Sequence, residues 1–416
     1  MNMQSLQLHN SAAETVLNLM VAMRPVYAKN LEVAAFEPLL KSIDDDREIS
    51  ADDVQALSQV ISETYGVIYQ NNNQVSAPCF LRVSARMLGE LELPSFPKDQ
   101  YIFELIIDDC GLEEQMTALQ KLASEGYRLA ITLSTPDLQT IQPFLESIHV
   151  LKVDIREIGT VAVRDIVKQL QPFGLDLLAF NLGSQQEFLQ CIDIGFKYFS
   201  GDILGKPKES KGKKLSHNKV VLFEVLAELQ NPNATVGTIE QLAIKDVNLT
   251  YKLLKMVNSA ALGLSRQIDS LSHAINILGM EQMRRWVSLF LLDGSDDKPQ
   301  ELMRNMLVRG RMCEVIAELK GRDMPVSYFM TGLLSQLDVL ADIEMPELVK
   351  QIPLNSDIKT ALVNRSGPMG EILNEVENYQ DGKFEDLKGL LDMNYYEVCF
   401  RHSTAWAAQI QQNMAV

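Results

Sequence analysis

Cysteine is scarce in this sequence, and long apolar runs are missing. Its 416 residues include five cysteines, which stand singly with no CxxC pair, and this argues against a disulfide framework and a cysteine-based zinc site. No apolar run approaches the roughly 20 residues that cross a bilayer, and the apolar stretch 16–23 has no basic region before it. We therefore expect a cytoplasmic protein with no signal peptide and no membrane anchor.

Positive charge is in deficit as well. The chain has 38 Lys and Arg residues against 55 Asp and Glu residues, which gives a formal net charge of -17. Such a field repels phosphate backbones and disfavours nucleic acid as a partner, whereas it favours protein surfaces of basic or mixed charge. The hydrophobic fraction of 46% is that of a folded globular protein, and the length predicts two domains.

The first half of the chain alternates short apolar runs with amphipathic stretches. Six runs have the length and boundaries of buried strands: they are Cys79–Val83, Tyr101–Ile106, Arg128–Leu133, His149–Val153, Leu175–Phe180 and Phe196–Phe199. Between them, Met116, Leu119 and Leu122 recur at helical spacing ahead of Gly126. Repeated β–α units of this kind predict a parallel sheet, either open or closed into a barrel.

A change of composition at residues 206–219 marks the predicted domain boundary. Six lysines stand there among Gly, Pro and Ser residues. Such a run fits either a phosphate-binding cluster or a solvated linker, and its Gly and Pro content favours the linker. We therefore assign residues 1–205 to the first domain, 206–219 to a basic linker and 220–416 to the second domain.

Helical signals replace the strand pattern in the second domain. Asp246 is a candidate cap for a helix that ends at Gly263, and Ser270 and Gly279 bracket a shorter helix. Near the C-terminus an apolar stripe predicts a packing face on a helix: it consists of Tyr395, Cys399, His402, Trp406 and Ile410. The expected fold class is therefore α/β for the first domain plus all-α for the second.

The first domain resembles the EAL domains, which are barrel phosphodiesterases of cyclic di-GMP. Glu37-Pro38-Leu39 stands where the family signature Glu-Ala-Leu belongs, and the likeness continues in order through Arg82–Arg86, Lys152-Val153-Asp154 and Gly201. It spans nearly all of residues 18–210. The resemblance implies a TIM-barrel-like fold.

The second domain resembles the HDOD domains, which are helical relatives of the HD hydrolases. The most specific stretch runs from Asp246 to Gly279, and Gly332-Leu-Leu-Ser-Gln-Leu-Asp resembles the subgroup that fuses EAL and HDOD domains in one chain. Metal-dependent HD hydrolases need a His-Asp doublet, and Ser335-Gln336 stands at that position. The resemblance therefore implies no metal site in this domain.

An active EAL site, as the resemblance implies, holds two divalent cations on a ring of acids and an Asn at the strand ends. Glu37, Glu104 and Asp154 keep acids of that pattern, and Lys152 keeps its place beside them. The other positions are substituted: Arg82 stands for the Asn, Thr132 and Leu133 for an Asp pair, Phe180 or Gly183 for a Glu, and Ser200 for a late Gln. Two lost Asp carboxylates and one added guanidinium raise the local formal charge by three units. We therefore expect no metal, no cofactor and no catalytic residue, that is, an inactive relative of EAL phosphodiesterases and HD hydrolases.

Arg82 has two interpretations. Its guanidinium either pairs with Glu37 or Glu104 and supplies the charge that a metal would supply, or it extends to the barrel rim. Lys152 and Asp154 are either unused remnants of the site or a structural ion pair, and the ion pair is favoured.

The expected function is a non-catalytic protein-interaction scaffold in bacterial signalling, linked to cyclic di-GMP by resemblance alone. The alternatives are a cyclic di-GMP receptor that does not hydrolyse its ligand, and a residual phosphodiesterase. Weak binding of cyclic di-GMP stays open because Lys41 stands where the family usually has Arg. A DNA-reading helix-turn-helix at 270–292 is disfavoured, since it has two adjacent cations amid much apolar surface. By resemblance a homodimer is expected, and the partner protein is unknown.

Overall fold

The computed structural model contains two compact units. It describes residues 19–43, 47–61, 77–93, 96–107, 111–204, 215, 217–231, 233–243, 245–246, 249–251, 254–255, 268, 270–292 and 298–414. The first unit consists of Met1–Lys206 together with Asn378–Val416, and the second of Pro207–Glu377. Most of the predicted basic linker and most of the helix predicted at 246–263 lie outside the described residues.

A closed eight-stranded barrel forms the first unit. Its strands are β1 (Leu19–Ala28), β2 (Val33–Ser42), β3 (Cys79–Val83), β4 (Tyr101–Leu105), β5 (Arg128–Leu133), β6 (Val150–Asp154), β7 (Asp176–Leu182) and β8 (Tyr198–Gly201). β1 is antiparallel to both of its neighbours, β2 and β8, and the other pairs are parallel. The expected barrel is confirmed, and β3 to β8 lie at the six predicted runs.

β1 and β2 were not predicted as strands. Each carries an internal proline, Pro25 in β1 and Pro38 in β2. Proline removes a ladder donor and ordinarily argues against a strand interior. The two strands nevertheless pair along almost their whole length, with Pro25 opposite Phe36 and Met23 opposite Pro38.

Helices cover the outside of the barrel, because a parallel sheet must bury both of its faces. They are α1 (Ala51–Val60), α2 (Leu112–Ser124), α3 (Ile155–Ile158), α4 (Thr160–Leu170) and α5 (Gln185–Ile194). Short 3-10 turns occur at Met87–Gly89, Leu138–Thr140, Gln142–Phe144 and Gln171–Phe173. The helix predicted ahead of Gly126 is confirmed as α2, which buries Leu119 and Leu122.

The second unit is helical in its described part, and the expected all-α domain is confirmed. Its helices are α6 (His217–Gln230), α7 (Val236–Ala243), α8 (Leu271–Leu289), α9 (Gln300–Leu319), α10 (Pro325–Leu334), α11 (Leu337–Ala341), α12 (Met345–Gln351), α13 (Ser356–Asn364) and α14 (Gly367–Gln380), with a 3-10 turn at Phe290–Leu292. Ser270 caps α8 by accepting from the His273 N–H, and Gly279 breaks it with φ 78° and ψ 165°. Both predicted boundaries of this short helix are therefore confirmed.

The end of the chain returns to the barrel. α14 ends at Gln380, a 3-10 turn follows at Phe384–Asp386, and α15 (Met393–Met414) closes the described chain. Residues 378–416, assigned above to the helical domain, thus pack in the barrel unit. The buried face of α15 passes through Tyr396, Cys399 and Phe400, whereas Tyr395 of the predicted stripe is 38% exposed.

Candidate functional site

An apolar layer of side chains closes the inside of the barrel. Its buried members are Val26, Ala35, Phe80, Ile102, Ala130, Val150 and Leu178, one from each of β1 to β7. Side chains two positions along a strand point to the same face. The next inward layer, two residues nearer the mouth, therefore consists of Arg24, Glu37, Arg82, Glu104, Thr132, Lys152 and Phe180, with Ser200 in the matching place on β8.

Lys152 is the centre of this polar layer. Its Nζ donates to Glu37 Oε1 and to Glu104 Oε2, both at 2.6 Å. All three residues are almost fully buried, with relative exposures of 2% for Lys152, 6% for Glu37 and 2% for Glu104. An ammonium shared between two carboxylates balances charges that would otherwise be buried at high energetic cost.

The protonation states follow from this contact. Burial raises the pKa of Glu37, but the Lys152 ammonium, helped by Arg24 and Arg82, outweighs burial and holds that pKa below its ordinary value. Burial lowers the pKa of Lys152, but Glu104 and Glu37 outweigh burial and raise it. Glu37 is therefore a carboxylate and Lys152 a charged ammonium at neutral pH.

Arg82 lies beside Glu104, in agreement with the first of the two interpretations given above. Its Nε is 3.5 Å from Glu104 Oε1, while 54% of its side chain remains exposed. The cross-strand register places the two residues opposite each other on β3 and β4. Glu104 Oε1 also accepts from Thr132 Oγ1 at 2.7 Å. Both oxygens of Glu104 are thus engaged by groups of the chain itself.

The favoured ion pair between Lys152 and Asp154 is wrong. Asp154 Oδ1 accepts from the backbone N–H groups of Arg156 and Glu157, at the start of α3. Its Oδ2 accepts from Asn181 Nδ2 at 2.8 Å. Asp154 therefore caps a helix, because free N–H groups at a helix start attract a carboxylate, and Lys152 is paired with the two glutamates instead.

The remaining predicted positions separate into two groups. Phe180 lies against Lys152, whose Nζ is 5.2 Å from its ring centroid, and the fully buried Ser200 donates to the Pro25 carbonyl at 3.2 Å. Leu133 is buried outside the polar layer, by strand alternation, and the Gly183 N–H donates to Glu187. Between the two candidates for the Glu position, Phe180 is therefore the one that reaches the layer.

Arg24 was missed by the sequence analysis. It lies opposite Glu37 in the β1–β2 register, with NH1 3.9 Å from Glu37 Oε2. Arg24 lies two residues before Val26, so strand alternation places both side chains on the inner face of the barrel. This could be predicted only if β1 had been recognised as a strand antiparallel to its neighbours. With Arg24, the layer carries three cations around two carboxylates.

A cleft of about 1150 Å³ opens beside this layer, between β2 and β3. The two strands pair only at Phe36 and Cys79, so they separate towards the mouth. Residues from both strands and from the C-terminal segment line the cleft: among them are Glu37, Leu39, Arg82, Arg86, Gly382 and Phe384.

The polar layer does not fit the pair of divalent cations that the EAL resemblance implies. Divalent ions need several anionic oxygens with free lone pairs. The Lys152 ammonium contacts both glutamates, and the Asp154 oxygens accept from a helix start and from Asn181. Among the described residues, no group of three or more His, Cys, Asp or Glu side chains is placed to hold a metal ion.

Ser335 of the Ser335-Gln336 pair in the helical unit is likewise engaged by neighbouring groups of the chain. Ser335 Oγ accepts from Arg309 NH1 at 3.0 Å and donates to the Gly332 carbonyl at 2.7 Å. Arg309 NH1 also donates to Glu377 Oε1 at 3.0 Å, and Arg365 donates to both oxygens of that carboxylate at 2.8 and 3.0 Å. A guanidinium–carboxylate cluster thus surrounds this position.

The two adjacent cations of segment 270–292, for which a DNA-reading role was disfavoured, are not free to contact DNA. Arg284 is buried at 8% exposure, and Arg285 pairs with the fully buried Glu314. A recognition helix needs side chains free to reach base edges. The contacts of α8 are accordingly those of a helix packed in a core.

Comparison with known proteins identifies the second unit. Residues 215–359 match the HDOD domain family, so the expected HDOD domain is confirmed. The chain is 23% identical over 401 residues to the uncharacterized protein YuxH of Bacillus subtilis, covering 94% of this chain and 98% of YuxH. It is 26% identical over 386 residues to the cyclic di-GMP phosphodiesterase CdgJ of Vibrio cholerae, covering 90% of this chain and 88% of CdgJ.

Solved structures give a weaker likeness. The Bacillus subtilis YkuI protein, which has an EAL domain and was solved with cyclic di-GMP and calcium, is 13% identical with a TM-score of 0.36; the match covers 56% of this chain and 72% of that one. The PaMucR phosphodiesterase complex with cyclic di-GMP is 16% identical with a TM-score of 0.35, and the match covers 47% of this chain and 93% of that one.

Among the described helices, none combines the length and the apolar character that a membrane span requires.

The expectation that this chain is not an enzyme is contradicted by the similarity to CdgJ. A protein similar over 90% of the chain bears the name of a cyclic di-GMP phosphodiesterase. The inference of inactivity rested on the number of lost metal ligands. That number shows whether two divalent cations can bind in the EAL arrangement, but it does not test the other residues at the mouth of the barrel. The substitutions therefore do not exclude phosphodiester hydrolysis.

Proposed function

We propose that this chain is a signal-transduction protein of cyclic di-GMP-linked regulation, in which the barrel mouth recognises the nucleotide and the helical domain docks a protein partner. The similarity to CdgJ over both domains supports the link to cyclic di-GMP. The observation that carries the proposal is the cleft beside Glu37, which combines sufficient volume with exposed guanidinium groups.

The chemistry of the cleft suits a phosphodiester. Arg82 and Arg86 both line it, from β3 and the turn that follows. Guanidinium groups present several donors in a plane and bind phosphate oxygens in pairs. Arg82 keeps 54% of its side chain exposed although its Nε lies near Glu104, so its outer nitrogens can face a ligand. The cleft volume of about 1150 Å³ is adequate for a dinucleotide.

The helical domain supplies the scaffold part of the proposal. Arg309 and Glu377 occupy the Ser335 position, where related hydrolases bind a metal. We therefore assign partner recognition to the surface of this domain. The net charge of -17 favours a basic or mixed-charge partner surface. Dimerisation and a cytoplasmic location complete the proposal, and a sedimentation experiment tests the dimer.

Calorimetry with cyclic di-GMP tests the nucleotide part. We expect binding by the wild type, and about 10-fold to 150-fold weaker binding for Arg86→Ala, because a charged hydrogen bond contributes about 1.5–3 kcal/mol. Arg164→Ala is the matched control, since Arg164 is exposed on α4, on the outside of the barrel. Absence of any heat up to high micromolar nucleotide, or equal weakening by both variants, contradicts the proposal. Product analysis of the same samples with Mg²⁺ or Mn²⁺ determines whether bound nucleotide is cut.

A further inference from the structure

A turn near the C-terminus covers the part of β2 that continues beyond the polar layer. We define the C-terminal turn as residues 379–386. Glu37, Leu39 and Lys41 alternate along β2 and therefore share one face of the strand. Gly382 packs on Leu39 so closely that an added Cβ would lie 2.9 Å from the Leu39 Cβ. Glu385 Oε2 accepts from Lys41 Nζ at 2.8 Å. The turn thus follows the strand face that carries Glu37.

The C-terminal turn is firmly anchored at its start. The Tyr379 hydroxyl accepts from the Val21 N–H at 3.1 Å and donates to the Val21 carbonyl at 2.9 Å. Its ring stacks on Tyr396 with centroids 5.8 Å apart and meets Phe384 edge-on at 5.3 Å. A buried aromatic cluster with both backbone groups of Val21 satisfied holds the turn in one place.

Because of this anchoring, the C-terminal turn is one wall of the cleft. Gly382 and Phe384 line it together with Glu37, Arg82 and Arg86. A ligand that enters the cleft therefore meets side chains from the start of the chain and from its end.

The two side chains of the Lys41–Glu385 ion pair differ in exposure. The Lys41 side chain is 20% exposed, whereas the Glu385 side chain is 81% exposed. An exposed carboxylate gains little from such a pair, since solvent screens it, and it can leave without breaking the fold. Lys41 and Glu385 directly follow the cleft-lining residues Leu40 and Phe384 in the sequence, so the Lys41 ammonium can attract an anion that replaces that carboxylate.

We propose that Glu385 is an internal competitor for anionic ligands of the barrel mouth: its carboxylate holds Lys41, and a phosphodiester in the cleft displaces it. This inference rests on the proposed recognition of cyclic di-GMP. The C-terminal turn then influences ligand affinity in two ways. Its Glu385 carboxylate competes with the ligand, and its residues Gly382 and Phe384 line the cleft.

Calorimetry with cyclic di-GMP on the full-length chain tests the competition. Glu385→Gln keeps the shape of the side chain and removes its charge, so we expect binding about twofold to fivefold tighter than wild type, the range open to an exposed ion pair. Asp381→Asn is the matched control, because Asp381 is an exposed acid of the same turn that pairs with Lys383. It should leave the affinity unchanged.

A second variant assigns the effect to Lys41. In the Lys41→Met background, the Glu385→Gln change should have no influence on affinity, since the cation for which the carboxylate competes is gone. If wild type and Glu385→Gln bind equally tightly, or if Asp381→Asn tightens binding as much, the competition is refuted while the proposed function stands. If no variant binds the nucleotide, the proposed function fails, and this inference fails with it.

Discussion

Replacing Lys152 by methionine tests the central feature of the polar layer. Methionine keeps most of the side-chain volume and removes the ammonium, which leaves Glu37 and Glu104 buried with no shared cation between them. Removing one partner of a buried ion pair costs about 3–5 kcal/mol. Because one ammonium serves two carboxylates, we expect a loss in the upper part of that range for the barrel unit, or about 10 °C in Tm.

The pH dependence of this loss has a definite sign. In the wild type the pKa of Glu37 is held below its ordinary value, because Lys152 outweighs burial, so this carboxyl stabilises the fold above the unfolded pKa and loses that effect in acid. Without Lys152, only Arg24 and Arg82 oppose burial, and the pKa of Glu37 should rise. A proton can then replace the ammonium, and the deficit of Lys152→Met should shrink as the pH falls from 8 to 5.

Urea denaturation followed by tryptophan fluorescence measures the effect in the correct unit. The chain has two tryptophans, Trp286 in the helical unit and Trp406 in the barrel unit, so a Trp286→Phe background reports on the barrel. Lys197→Met is the control, since its ion pair with Asp176 is 54% exposed on the lysine side and is worth about 1 kcal/mol or less. A loss below about 1 kcal/mol for Lys152→Met at pH 8, or a loss independent of pH, refutes the argument.

Two further predictions concern the C-terminal turn and the helical unit. Gly382→Ala should destabilise the barrel unit by about 1–3 kcal/mol more than Gly389→Ala. Both glycines have positive φ, 71° and 70°, but a new Cβ at Gly382 collides with Leu39, whereas a Cβ at Gly389 meets nothing within 4 Å. Equal urea midpoints for the two variants contradict this. Burial raises the pKa of Asp338 to about 6, so its charged form destabilises the fold above that pH. Asp338→Asn should therefore raise the Tm of the helical unit more at pH 8 than at pH 5, and a pH-independent change would count against the burial argument.

Strand spacing made much of the polar layer predictable. Glu37, Arg82, Glu104 and Lys152 each follow an apolar residue of the barrel interior by two positions, so alternation alone places them in one ring once the barrel is assumed. Their partners were harder to predict. Lys152 and Asp154 lie two residues apart on one strand, and nothing in that spacing reveals that Asn181 and a helix start engage the carboxylate.

The return of the chain to the barrel could not be predicted. The Tyr379 hydroxyl meets the backbone of Val21, which is 358 residues away. A contact of that separation leaves no periodic signal in either segment, and helical spacing on α14 is the same whichever surface the helix end meets. The resemblance used for the helical domain extended to Gly332-Leu-Leu-Ser-Gln-Leu-Asp, and the C-terminal residues were assigned to that domain because their apolar stripe has helical spacing.

The barrel is thus a discontinuous domain with the helical unit inserted into it, and this has a consequence for synthesis. Val21 leaves the ribosome early, but Tyr379 follows only after the 171 residues of the insert, 207–377. The two residues are 358 positions apart, so at about 5–20 residues per second the delay is about 20–70 s, during which the Val21 backbone groups lack the Tyr379 hydroxyl that they contact in the folded barrel. The barrel is therefore complete only after its C-terminal segment, which begins at Asn378, has been synthesised.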